Sequence, residues 1–139
     1  MTTTSLSQWI ADPLPFAQLL GLELVTITPD RVEAMIQVRD ELCTRPAVLH
    51  GGAIMALADT LGAIATVANV AEGTTTTTIE SKTNFFAAIP LGDTARAECT
   101  PLHRGRTTMV WQTKVMRSDG RVAALVIQTQ LVIPAPREP

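Results

Sequence analysis

One segment dictates what this chain can fold into. From Gly51 to about Val70 the residues are apolar on nearly every side of a helix of roughly five turns. A helix that is hydrophobic all round is buried all round, so the rest of the chain must be arranged to cover it. Between His50 and Glu72 the run holds one ionisable residue, Asp59, set among Met55, Ala56, Leu57, Ala58, Gly62 and Ala63. A carboxylate buried there without a partner is costly. It reads either as a functional group or as a side chain bonded to a neighbouring chain's backbone or to a threonine. The run does not read as a membrane span. Asp59 divides the apolar stretch from Pro46 to Ala71 into pieces of about a dozen residues, where a span needs roughly 20.

What surrounds the helix reads mostly as strands. Ser5 to Leu20 is a short helical lead-in broken by Pro13 and Pro15 and ended by Gly21. Leu22 to Thr28 and Arg31 to Arg39 should pair across the Pro29-Asp30 turn, the second strand alternating Val32, Ala34, Ile36 and Val38 with polar residues. Glu41 to Leu49 reads as a loop. After the helix come Thr74 to Phe86, whose run of threonines favours a strand, then Thr94 to Pro101, Thr107 to Arg117 and Arg121 to Ile133. The last is apolar on both faces and should lie centrally in the sheet. The expected class is α+β. One domain spans residues 1–139, with an antiparallel sheet of about six strands wrapped around one long central helix, a short N-terminal helix, and frayed tails at 1–4 and 134–139. Such a sheet covers one side of the helix, and a second copy of the chain is the simplest cover for the other.

Composition removes other classes. Lys and Arg number 11 and Asp and Glu 13, a net charge of −2, which is not the basic excess of a nucleic-acid binder. Apolar residues make up 46% and charged residues 17%, outside the range of disordered chains. Cys43 and Cys99 are too few for a disulfide framework, and with His50 and His103 they cannot assemble a zinc cluster, so no metal is expected. The start, MTTTSLSQWIADP, lacks the basic and apolar parts of an export signal. A cytoplasmic protein is expected.

Chemistry concentrates at two points of the helix. His50-Gly51-Gly52 stands at its start, where amide groups lack intrahelical partners and the dipole is positive. Glycine lets a ligand approach the backbone, so a carbonyl oxygen placed there could have developing charge stabilised. The plainer reading is a tight loop-to-helix junction. Gly51 and Asp59 are eight residues apart, about 12 Å of rise and on faces roughly 80° apart. One carbonyl is therefore out of reach of both within one chain. Two such helices packed antiparallel would bring Gly51 of one to Asp59 of the other.

These residues resemble a known family. LHGGAIMALADTLGAIA, then NFFAAIPLGD, HRGRTTMVWQTKV and SDGRVAALVIQTQLVI, are similar over roughly Leu14 to Ile133 to the hotdog-fold acyl-CoA thioesterases. The match is nearest to the phenylacetate-degradation (PaaI-like) and Arthrobacter-type 4-hydroxybenzoyl-CoA thioesterase group. The resemblance implies a hotdog fold with active sites at a homodimer interface, often within a homotetramer. It implies Asp59 as catalytic carboxylate, acting as general base or nucleophile, and Gly51 as backbone donor to the thioester oxygen. It further implies His50 as support of that loop and Thr78 as a hydroxyl near the attacking water. Two positions depart from the family: Thr44 stands where an Asn or Gln is frequent, and Ala63 where some members carry a hydroxyl.

Coenzyme A calls for a local basic patch. Arg104 and Arg106 around Gly105, with Lys82 and Arg45, are the candidates, against the reading of a solvated hairpin tip. Met55, Phe85 and Phe86 are candidates to line the acyl pocket, the phenylalanines equally readable as core, and Gly52, Thr44 and Asn84 are further substrate-binding candidates. The expected reaction is hydrolysis of an acyl-CoA thioester without metal or cofactor, coenzyme A being part of the substrate. The alternatives are a non-catalytic acyl-CoA or acyl-carrier binding protein, which Thr44 favours, and a hotdog dehydratase.

Overall fold

In the computed structural model, which describes residues 5–137, the elements follow in this order. Helices α1 (Leu6–Ala11) and α2 (Pro15–Leu20) lead into strands β1 (Glu23–Thr28) and β2 (Arg31–Gln37). A 3-10 turn at Asp40–Leu42 and a small ladder of β3 (Cys43–Thr44) and β4 (Val48–Leu49) precede helix α3 (Gly51–Val67). Strands β5 (Thr74–Phe85), β6 (Thr94–Arg104), β7 (Thr108–Met116) and β8 (Val122–Pro134) complete the chain. Six strands form one antiparallel sheet in the order β1-β2-β6-β7-β8-β5. The sheet curls around α3, which is the architecture the sequence implied.

The core lies between α3 and the concave face of the sheet. Leu57, Leu61 and Ile64 meet Val32, Ala34, Ile36, Ala97, Trp111 and Val115, all fully buried or nearly so. Each large aliphatic side chain placed there stabilises the fold by about 2 kcal/mol. Trp111, the largest buried side chain, donates its indole N–H to Thr66 Oγ1 at 2.9 Å, and Thr66 in turn donates to the Gly62 carbonyl at 2.8 Å. The one polar atom of the ring is thereby satisfied. Register shifts interrupt four of the five ladders. Such bulges add twist, and twist lets a six-stranded sheet close around a helix.

Several boundaries differ from the sequence reading. The expected loop from Glu41 to Leu49 contains the β3–β4 ladder, turned through Ala47 in the left-handed region at φ 51°. Alanine carries no sequence signal for that conformation. The helix stops at Val67 rather than Val70. β8 is not central but one strand in from the edge, between β7 and β5. It continues to Pro134, opposite Thr74, and the Ala135 amide donates to the Gly73 carbonyl at 2.9 Å. The expected frayed tail therefore starts after this point, and the expected frayed residues 1–4, with 138 and 139, lie outside the described residues. No described helix is long and apolar enough to cross a membrane.

Candidate active site

The start of α3 is built by its own cap. His50 holds an extended backbone at φ −61° and ψ 135°, and its Nδ1 accepts from the Gly52 amide at 2.8 Å. The amides of Ala53 and Ile54 both donate to the His50 carbonyl. Among the described residues the Gly51 amide has no partner, so it is the donor left at the positive end of the helix. Both glycines have steric reasons. A Cβ on Gly52 would stand 2.9 Å from the capping His50 nitrogen, and one on Gly51 would stand 3.2 Å from the Phe85 ring.

Asp59 lies two turns further on, along the stripe of α3 left open beside the edge strand β5. Gly52, Met55 and Asp59 are exposed there, and Ala56, Thr60, Ala63 and Val67 are half-buried. This corrects the expectation of a helix buried all round and of a carboxylate buried without a partner: in one chain Asp59 is exposed and bonded. Thr78 of β5 donates through Oγ1 to Asp59 Oδ1 at 2.6 Å. Asp59 Oδ2 has no partner among the described residues. The threonine reading of the sequence is thus met, and the threonine that bonds the carboxylate is Thr78.

Behind Thr78 stand two residues that the sequence reading passed over. Gln130 donates to Thr78 Oγ1 at 2.7 Å, and Gln128 donates to the Ala58 carbonyl at 2.7 Å, one residue before Asp59. Their signal was present: two amides at inward positions of a strand whose other inward residues, Ala124 and Val126, are apolar.

The remaining candidates divide. Phe85 and Phe86 line, with Gly51, Leu49, Ile54 and Ile89, a cavity of about 410 Å³ beside the helix start, and both phenylalanines are exposed rather than core. Met55 is exposed on the open stripe but does not line that cavity. Lys82 and Asn84 do not join the site. They pair with Ile127 and Leu125 on the face of the sheet turned away from α3. Thr44 is exposed in β3, and no side-chain bond ties it to Asp59 or Gly51 among the described residues. Arg104 is bonded at the β1–β2 turn. It pairs with Asp30 at 2.7 Å and donates to the Pro29 carbonyl at 3.0 Å, pinning the β1–β2 turn near the far end of α3. Gly105 closes the β6–β7 turn through its amide to the Thr108 carbonyl, and Arg106 beside it is exposed. A second cavity, about 460 Å³, lies under α1, α2 and β1 and touches none of Gly51, Asp59 or Thr78.

Comparison with known proteins agrees with this fold. A model described as Thioesterase superfamily matches residues 47–124, more than half of the chain, a span that holds Gly51, Asp59 and Thr78. The proofreading thioesterase EntH of Cronobacter turicensis is 32% identical over 102 residues, covering 73% of this chain and 74% of that protein. The crystal structure of a thioesterase from Haemophilus influenzae superposes with a TM-score of 0.89 at 26% identity, over 99% of this chain and 96% of that one. A Streptococcus mutans protein crystallised with acetyl-CoA shares the fold, with a TM-score of 0.76 at 24% identity over 84% of this chain and 91% of that one.

Proposed function

The chain belongs to the thioesterase superfamily, and from that membership we propose that it is a cytoplasmic enzyme hydrolysing an acyl-CoA thioester to free acid and CoA. The observation that carries this reading is the presence of two features on α3. A carboxylate is held by a hydroxyl with one oxygen unoccupied, and an unpaired amide stands at the helix start. The acetyl-CoA bound by the Streptococcus mutans relative supports a CoA ester as the substrate class.

The two features stand too far apart along one helix to share a carbonyl, so the site needs a second copy. The uncovered stripe of α3 and the unpaired outer edge of β5 leave room for it. In the homodimer, the Gly51 amide of one protomer receives the thioester oxygen and Asp59 of the other faces the carbonyl carbon. Asp59 Oδ2 attacks that carbon directly or takes a proton from the water that does. Negative charge builds on the oxygen facing the amide, where a fixed donor at a helix start lowers the barrier. Where Asp59 has taken the proton from water, it passes that proton to the sulfur as the C–S bond breaks, and free acid and CoA thiol leave. Where Oδ2 has attacked directly, CoA leaves as thiolate and a water then hydrolyses the acyl–Asp59 anhydride, supplying the proton for CoA, releasing the free acid and restoring the carboxylate. The cavity beside Phe85 and Phe86 would hold the acyl group. Arg45 and Arg106, which form no ion pair among the described residues, would serve the CoA phosphates.

The test is free-thiol release from a panel running from acetyl- to palmitoyl-CoA, with benzoyl- and phenylacetyl-CoA, for wild type and Asp59→Asn. The wild type should turn over at least one ester, and Asp59→Asn should fall by about a hundredfold or more while its melting temperature is kept. Thr44, in place of a polar amide, favours a second reading, a protein that binds CoA esters without cleaving them. Calorimetric binding with no thiol release from any ester would establish that reading instead.

A further inference from the structure

Two glutamines occupy positions on β8 where a sheet facing an apolar helix would ordinarily carry aliphatic side chains. Gln128 and Gln130 are 1% and 0% exposed. Burying an amide is costly unless its donors and acceptors are matched, and here they are matched in one direction only. The Ala58 carbonyl can only accept, so Gln128 must present its nitrogen to it, at 2.7 Å. Gln128 Oε1 then faces Gln130 and accepts from its Nε2 at 2.7 Å. The second hydrogen of that nitrogen goes to Thr78 Oγ1, also at 2.7 Å, while Gln130 Oε1 accepts from Thr76 at 2.8 Å. Thr78 receives one hydrogen bond and has one proton to give, which goes to Asp59 Oδ1. Gly62 makes the arrangement possible, since a Cβ there would lie 2.3 Å from the Gln128 amide.

We infer that Gln130 is a positioning residue of this site: through Thr78 it dictates which oxygen of Asp59 is tied down and which is left to act. Gln128, anchored on a backbone carbonyl, sets the sense of the whole chain of bonds. If Gln130 accepted instead of donating, the Thr78 proton would turn inward and Asp59 would lose its fixed orientation. The role rests on the reading of Asp59 as the reacting carboxylate.

The experiment compares Gln130→Met, which keeps the bulk without donors, and Gln130→Glu, which accepts where the amide donates, in wild-type and Thr78→Val backgrounds, on the best ester of the panel. Both single variants should lose about tenfold or more in kcat, with KM within about twofold of wild type. Gln130→Met should cost nothing further once Thr78 is valine, because Gln130 acts through that hydroxyl. Additive losses, or unchanged kcat, overturn the role. A wild type that cleaves no ester overturns the reading of the site and the role with it, so the two failures are distinct. Should the Gln130 variants fail to fold, Thr78→Val decides by NMR. One side-chain amide proton of Gln130 should shift and exchange faster with solvent. An unmoved pair of resonances shows that Gln130 does not donate to Thr78 and overturns the inference.

Discussion

Asp59 is kept in place by a hydroxyl and, behind it, by amides, not by a cation. Its singularity in an apolar helix made it legible from sequence, but its exposure was not. How far the sheet wraps depends on bulges that leave no residue signature. Gly62 is a sharper case. In sequence it is one more small residue of α3, whereas in the structure it is the gap into which the Gln128 amide fits. Gly62→Ala should expel that amide, leaving buried polar atoms unpaired, and lower stability by about 1–3 kcal/mol. Urea denaturation measures this, and a neutral result would mean the amide swings aside without loss. Cys99 bears on how the enzyme is assayed. Burial pushes its thiol up to about 12. Since the thiolate is the reactive form, Cys99 should stay unlabelled by a disulfide reagent near pH 8 in the native protein and react on unfolding. The thiol-release signal then needs no correction for it.

Single elements carry the next lessons. β2 was readable by its period of two, but β5 breaks that period. Thr78 pairs with Gln130 and Glu80 with Thr129, so Ile79 is an extra residue. Strict alternation from Thr78 would put Lys82 and Asn84 on the same face as Thr78. The bulge turns both away and brings Ser81, Thr83 and Phe85 to the inner side instead. A bulge made by an ordinary isoleucine is invisible to pattern reading, which is why two substrate candidates lie on the face turned away from α3. β2 also bears a charge cluster on its outer side. Glu33, buried, is bonded by Arg31 and lies 3.1 Å from Arg96 of β6, while Arg31 also reaches Glu98 at 2.9 Å. Burial alone would raise the Glu33 pKa, but the hydrogen bonds from Arg31 and Arg96 hold it below the usual carboxylate range. A folded-state value below the unfolded one means the contribution is present above the ordinary glutamate value of 4.5 and is lost as pH falls through the depressed value. Urea midpoints should therefore show wild type ahead of Glu33→Gln at pH 7, with the gap narrowing below pH 4.5. A gap that stays constant would show that the arginines do not act on Glu33 through its charge.

At the scale of the molecule, the sheet encloses α3 on one side and ends in β5, a long edge strand whose outer backbone groups are unpaired. The expectation of a second copy came from sequence, because six strands cannot surround a helix. The surface proposed for it did not, since it rests on the open stripe of α3 lying beside the β5 edge. A site shared between copies has a consequence that a site within one chain lacks. Asp59→Asn removes the carboxylate. Gly51→Pro removes the amide with little harm to the helix, because proline is tolerated at the first helical position and His50 already holds the extended backbone that precedes a proline. The Phe85 ring, 3.2 Å from a Cβ at this position, need yield only slightly. Each variant alone should lose about a hundredfold in kcat. Co-expressed in equal amounts, half of the dimers would pair the two variants, and each mixed dimer would hold one site with both groups intact and one with neither. Activity should then return to about a quarter of wild type. Mixed dimers confirmed by mass yet without recovered activity would place Gly51 and Asp59 in different sites, and the shared-site mechanism would have to be abandoned.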